Sequence, residues 1–242
     1  MQLKRYQQIF LYEDRHWWYR GRRTLLSEIL EKSNPKKILD FGCGPGSIMK
    51  LLNKFGEVSG VDIEPQAITY CQSKKIKNVK LIHAEKQLPF DKNTFDIVTC
   101  MDVLEHIADE SKTLKDLYRV LKKNGLLIIT VPAFSFLWGA LDIHSHHVKR
   151  YNQTQLFKTL IQSGFTVEKI FYFNYFFFLP IVLIRLFQKS FLGKRNMWGV
   201  DPIIKNNFIN NILTVLFEID VKTALKLKPP FGVSLLAIVK KP

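Results

Sequence analysis

Cysteine is scarce in this 242-residue chain: Cys43, Cys71 and Cys100 are its three, and no two form a CxxC pair. An odd count without that spacing argues against a disulfide framework and a zinc knuckle, so reduced thiols are expected. Acidic residues are in deficit, 21 against 36 Lys and Arg, for a formal net charge of +15. Residues 170–184 carry no charge, but these fifteen positions are interrupted by Asn174 and Pro180 and fall short of the roughly 17 to 25 that span a bilayer. The opening MQLKRYQQIFLYEDRH scatters charges among its apolar residues and offers neither the h-region nor the cleavage site of a signal peptide. A cytoplasmic protein is the expectation. No internal repeat and no low-complexity linker divides the chain, so residues 1–242 are expected to form one domain.

The excess charge is unevenly placed. Residues 1–37 hold 9 Lys and Arg against 4 Asp and Glu, residues 38–184 hold 17 against 14, and residues 185–242 hold 10 against 3. A nearly neutral middle with basic flanks assigns any anionic partner, nucleic acid or membrane, to the flanks. The flanks lack an RNP, KH or zinc-finger signature and interleave their cations with apolar runs, which makes nucleic acid the weaker of the two.

Along the middle, short apolar runs alternate with helical stretches. Ile38-Leu39 lead into a glycine cluster, GEVSGVDIEP reads as a second strand ending at Asp62, VKLIHAE as a third, TFDIVTCMD as a fourth and GLLIITVP as a fifth. PQAITYCQSKK is read as a helix, and so is DESKTLKDLYRVLKKNG, with Gly125 at its C-cap. Such alternation predicts a mostly parallel sheet covered on both faces, with ligands beyond the carboxyl ends of its strands.

The strongest chemical signal is LDFGCGPG. Gly42, Gly44 and Gly46 leave no Cβ where a ligand must lie against the backbone; Asp40 precedes them, and Asp62 ends the second strand, where a carboxylate can accept both hydroxyls of a ribose. The nicotinamide fingerprint GxGxxG is not met, because Ser47 stands at its last glycine. On these residues, and on LPFDKNTFDIVTCMDVLEHIAD, the chain resembles the class I S-adenosylmethionine-dependent methyltransferases. A subgroup of that family carries stretches similar to HWWYRGRR and HVKRY.

The resemblance implies a Rossmann-like, doubly wound, seven-stranded α/β sheet whose last strand is antiparallel. Its parts would be an N-terminal helical lid over 1–37, a cofactor-binding core over 38–173, a hydrophobic and basic helical insertion over 174–230, and the last strand over 231–242. It implies S-adenosylmethionine as cofactor, held by Asp40, Gly42, Gly44, Gly46, Asp62, Ile63, Ala84, Glu85, Met101 and Trp18. His83-Ala84 replaces the family's frequent Asp-Ala pair, so the Ala84 amide and Glu85 are expected to meet the adenine. The Trp17–Tyr19 aromatics either line a lid or pack a helix, and His106 either caps a helix or acts at the site.

The densest histidine cluster lies in LDIHSHHVKRYN, after the fifth strand. The subgroup's pattern falls on Asp142, His147, Arg150 and Tyr151, the candidate catalytic set. These residues could clamp the acceptor, or His147 could act as a general base, since histidine titrates near pH 6.5. Asp142, His144, His146 and His147 also contain possible ligands for a divalent ion, although no metal is assigned.

The segment after Phe173 carries the last ambiguity. Pro180 suits a helix start and Gly193 a stop, with Arg185, Gln188 and Lys189 on one face and Leu183, Leu186 and Phe187 on the rest. Such a helix could be buried, line a pocket for a lipid-like acceptor, or lie in a membrane interface at the inner face. The expected function is methyl transfer to a small-molecule or lipid-linked acceptor, with oxygen the favoured atom. The alternatives are a non-catalytic cofactor-binding partner protein and a nucleic-acid methyltransferase.

Overall fold

The computed structural model describes residues 10–31, 33–188 and 206–242. Seven strands form one sheet in the order β3-β2-β1-β4-β5-β7-β6: β1 Lys37–Phe41, β2 Glu57–Asp62, β3 Val79–Leu81, β4 Phe95–Met101, β5 Leu121–Pro132, β6 Thr166–Phe173 and β7 Ser234–Lys240. β7 runs antiparallel between β5 and β6, and the pairings among β1 to β5 are parallel. The chain reverses direction in strand order beside β1, and ligand crevices form at such switch points.

Strand residues alternate between two cores, as a period of two requires. Leu39, Val98 and Ile129 enter one core with helices α4 (Glu110–Val120) and α6 (Gln153–Gln162). Ile38, Ile97 and Ile128 enter the other, with α1 (Trp17–Leu30), α2 (Ser47–Leu52) and α8 (Asn207–Leu227). Helix α1 buries Leu25, Leu26 and Leu30, and crosses α8 at Gly21, where a Cβ would collide with the Phe217 ring. Between β2 and β3 lies α3 (Pro65–Ser73), between β5 and α6 the short α5 (Ala140–His144), and after β6 the helix α7 (Phe178–Phe187).

Two expectations shift at their edges. The fourth helix stops at Val120 instead of reaching Gly125: Leu121 pairs with Phe95 and begins β5, and Lys122–Gly125 form an irregularity in which Asn124 takes φ 64°. Gly125 therefore caps no helix; it sits in β5, where a Cβ would press on the carbonyls of Lys122 and Asp96. The third strand ends at Leu81, which releases Ile82–Glu85 to line a cavity.

The insertion is anchored by a buried carboxylate. Asp220 of α8 accepts from the amides of Asn174 (2.6 Å) and Phe176 (2.8 Å), tying the helix to the end of β6. Helix α7 inverts the expected amphipathicity: Leu179, Leu183 and Leu186 are 57–63% exposed, and Arg185 turns inward to donate to the Leu137 carbonyl at 3.2 Å. Lys189 and Gly193 lie outside the described residues.

Candidate active site

The carboxyl ends of β1, β2, β4 and β5 carry two adjacent groups of polar side chains. In the first, the turn after β1 takes positive φ at Gly42 (76°), Gly44 (52°) and Gly46 (86°), the last capping α2. L-residues rarely adopt this backbone, so the run of glycines is a geometric need. A Cβ at Gly44 would meet nothing within 4 Å, so the loop faces open space. Asp62 holds its shape, accepting from the amides of Gly44 (2.8 Å) and Glu64 (2.9 Å); burial raises its pKa against those bonds.

Asp40 is buried beside it. Thr99 donates to one of its oxygens at 2.7 Å, and the other has no partner. Burial, opposed by Thr99 and Arg22 and aided by Asp62, lifts its pKa to about 6. An orphaned buried carboxylate oxygen beside an open glycine loop is a fitting seat for a cation such as an amino-acid ammonium. Next to Asp62, an open cavity of about 400 Å³ is lined by Ile63, Ile82, His83, Ala84, Glu85 and Lys86. Ile63, Ala84 and Glu85 are thus brought together as expected.

The remaining two cofactor candidates are placed differently. The Met101 side chain is buried, and its carbonyl accepts from Arg22 at 2.7 Å. Trp18 stacks on Phe217 with centroids 5.1 Å apart and planes at 9°, the packing alternative for these aromatics. Helix α1 reaches the site through arginines that sequence reasoning passed over. Arg22 also pairs with Asp102 at 3.3 Å, and Arg23 donates to Ser47 at 3.0 Å at the start of α2. The available signal was the pair of cations inside HWWYRGRR, one turn beyond the tryptophans.

The second group assembles around Asp142, which is fully buried. Arg150 grips both of its oxygens, Nε at 2.7 Å and Nη2 at 3.1 Å, while Nη1 donates to the Ala133 carbonyl at 2.9 Å. His147 Nδ1 lies 2.9 Å from Asp142 Oδ1, and the Gly139 amide donates to Oδ2 at 2.7 Å. Burial acts to raise the Asp142 pKa, but the bonds from His147 and Arg150 outweigh it and leave it at about 2. Tyr151 is buried with its hydroxyl donating to Glu110 at 2.6 Å; it anchors the loop from inside the core. Of the four candidates, His147 keeps an accessible edge, 12% of its side chain.

His144 and His146 are exposed, and Asp142 is engaged by Arg150, so the ligand set of Asp142, His144, His146 and His147 does not form. Instead the turn Leu104–His106 brings Glu105 and His106 to His147. The rings of His106 and His147 meet edge-on at 4.8 Å. His106 is held at a pKa of about 4 by burial and by His147.

Comparison with known proteins decides what this pair of groups belongs to. A family model described as a methyltransferase domain matches residues 39–129, from β1 through most of β5. The chain belongs to the class I S-adenosylmethionine-dependent methyltransferases. S-adenosylmethionine is the cofactor of this methyltransferase family. A ubiquinone/menaquinone biosynthesis C-methyltransferase of Wigglesworthia glossinidia brevipalpis is 35% identical over 129 residues, covering 48% of this chain and 52% of that protein. A mitochondrial ubiquinone biosynthesis O-methyltransferase of Schizosaccharomyces pombe is 34% identical over 143 residues, 53% and 51% of the two chains. The chain thus spans about half the length of the curated relatives it matches. A SAM-dependent methyltransferase structure from Archaeoglobus fulgidus shares the fold, with TM-score 0.57, 22% identity, and 90% and 94% of the two chains covered.

Proposed function

We propose that this methyltransferase-family chain, acting as one unit over residues 1–242, transfers the methyl group of S-adenosylmethionine to a small or lipid-like acceptor, with oxygen the favoured atom. The observation that carries the reading is the adjacency of the two groups: an open glycine loop with an orphaned Asp40 oxygen on one side, and His147 fixed by Asp142 and Arg150 on the other. When bound, the cofactor supplies an electrophilic methyl on a sulfonium, so the protein's task is to align the acceptor and manage its proton. Asp40 would take the ammonium, Asp62 the ribose hydroxyls, and Ile63, Ala84 and Glu85 the adenine. His147 would meet the acceptor, with Asp142 and Arg150 as positioning residues that fix its ring.

A lipid-like acceptor is favoured by the surface beside this edge. Gly139, which bonds Asp142, lies against the Arg185 guanidinium of α7, a helix whose outward residues are apolar. Phe208, Ile212, Val215 and Ile219 repeat this on α8. No helix among the described residues is long and apolar enough to cross a membrane. We read these faces, with the basic C-terminal third, as contacting an anionic bilayer. Arg185 takes no part in that contact, since it is engaged inward, and Lys194 and Arg195 lie outside the described residues. The quinone methyltransferases among the relatives point to the same acceptor class.

Incubating the protein with methyl-labelled cofactor and cell extract tests the reading. Label in an organic-soluble product is the expected result. Label in the aqueous phase would transfer the proposal to a polar acceptor, and cofactor binding with no transfer to any fraction would make the chain a non-catalytic partner.

A further inference from the structure

Glu105 is the least satisfied side chain among the described residues of the acceptor group. It is fully buried, and neither carboxylate oxygen has a hydrogen-bond partner. Burial, and after it Asp102, push its pKa well above the ordinary carboxylate range, and Arg22 and Arg150 oppose this only weakly from a distance. Burying a carboxylate without a hydrogen-bonded partner costs several kcal/mol, so such groups are found opposite a cation or a metal. The side chains that do face it are imidazoles. His147 Nε2 lies 3.9 Å from Glu105 Oε1, and one donor atom from each of Glu105, His106 and His147 falls within 4.8 Å of the other two.

The surroundings of these donors have the form of a prepared ligand shell. Metal-binding histidines commonly donate their second ring nitrogen to a carboxylate or a backbone carbonyl, which fixes the ring and its tautomer. His147 turns Nδ1 to Asp142 at 2.9 Å, leaving Nε2 toward Glu105, and Asp142 is itself gripped by Arg150. The His106 ring is held by packing, edge-on against His147. The loop and turn that carry the donors are joined, because the Val148 amide donates to the Glu105 carbonyl at 2.8 Å. Donors about 3.3 Å apart suit a tetrahedral ion with bonds of about 2.0–2.2 Å, so this cluster closes with movements below about an ångström per side chain.

We propose that Glu105, His106 and His147 bind a divalent first-row transition-metal ion at the acceptor edge, with a coordination position left open for an oxygen of the acceptor. Two imidazoles and a carboxylate match such an ion better than magnesium or calcium, which take oxygen shells. Its use in methyl transfer rests on the function proposed above, where it makes His147 a ligand; the binding itself does not.

Chelator-stripped, dialysed protein is titrated with ZnCl2 by calorimetry, and with MnCl2 by the loss of the free-ion paramagnetic resonance signal. One equivalent of either ion should bind. E105Q and H147A should weaken binding by more than about tenfold, and H144A should match the wild type. Far-UV circular dichroism of each variant confirms the fold, and a parallel titration with S-adenosylmethionine reports the methyltransferase reading separately. Absence of stoichiometric binding of both ions, or binding that survives in folded E105Q and H147A, would overturn the site. So would loss of binding in H144A with E105Q unaffected, which would move the ion to the exposed histidines.

Discussion

The two halves of the carboxyl edge satisfy their buried carboxylates with different groups. On the cofactor side Asp62 is bonded by two amides of the loop it shapes, and Asp40 keeps one orphaned oxygen at the edge of open space. On the acceptor side Asp142 is saturated by Arg150, His147 and Gly139, and its neighbour Glu105 has no hydrogen-bond partner on either oxygen. Asp62 is held by backbone amides, one of them from a loop eighteen residues back. Asp142 is held mainly by side chains within eight residues of it, and Glu105 meets His147 only across about forty residues of chain.

The comparison breaks first at Asp142. Removing one partner from a buried ion pair costs about 3–5 kcal/mol, so Asp142→Ala should lower unfolding stability by that order in urea denaturation, with loss of turnover. A loss below about 1 kcal/mol would show that Arg150 finds another acceptor.

Asp40 sharpens it through pH. Its folded pKa of about 6 lies above the ordinary 3.8, so between these values the folded state binds more proton than the unfolded one. Stability of the cofactor-free protein should therefore fall as pH rises from about 4 to 6, by up to about 1.4 kcal/mol per unit, and level off above. Asp40→Asn should flatten that slope, as read from denaturation midpoints across the window. An unchanged slope would assign the proton elsewhere.

Asp62→Ala removes a charged acceptor from the ribose position and should weaken cofactor binding by about 1.5–3 kcal/mol, measured by calorimetry. The smallest effect is expected at α7. Wild-type protein should float with anionic liposomes and be released by salt, and Leu183→Glu with Leu186→Glu should reduce the bound fraction. Indifference to anionic liposomes in the wild type would leave these apolar faces to another partner.

Much of the cofactor half was legible in the sequence because its signals are local. The three glycines demand positive φ, and Asp62 follows at the end of the next strand; both landed where LDFGCGPG and GVD placed them. Asp142, His147 and Arg150 were named together through the subgroup's pattern, and their bonds to one another were not read from it. Glu105 and His106 were not joined to His147, since about forty residues separate them and only the pairing of β4 with β5 brings them together. The inward turn of Arg185 was equally hidden. Helical periodicity reports that one face is polar, and the environment of that face is set by Leu137, Gly139 and Gln188. The end of α4 was misread because strand pairing captured Leu121 from a helix that its local pattern would have continued.

The most direct test of a division between a cofactor half and an acceptor half is His147→Ala, assayed on one preparation for both properties. The account predicts wild-type affinity for S-adenosylmethionine by calorimetry, together with loss of label transfer from the methyl-labelled cofactor to the organic-soluble product. Full transfer by the variant, or a cofactor affinity that falls in step with turnover, would contradict it.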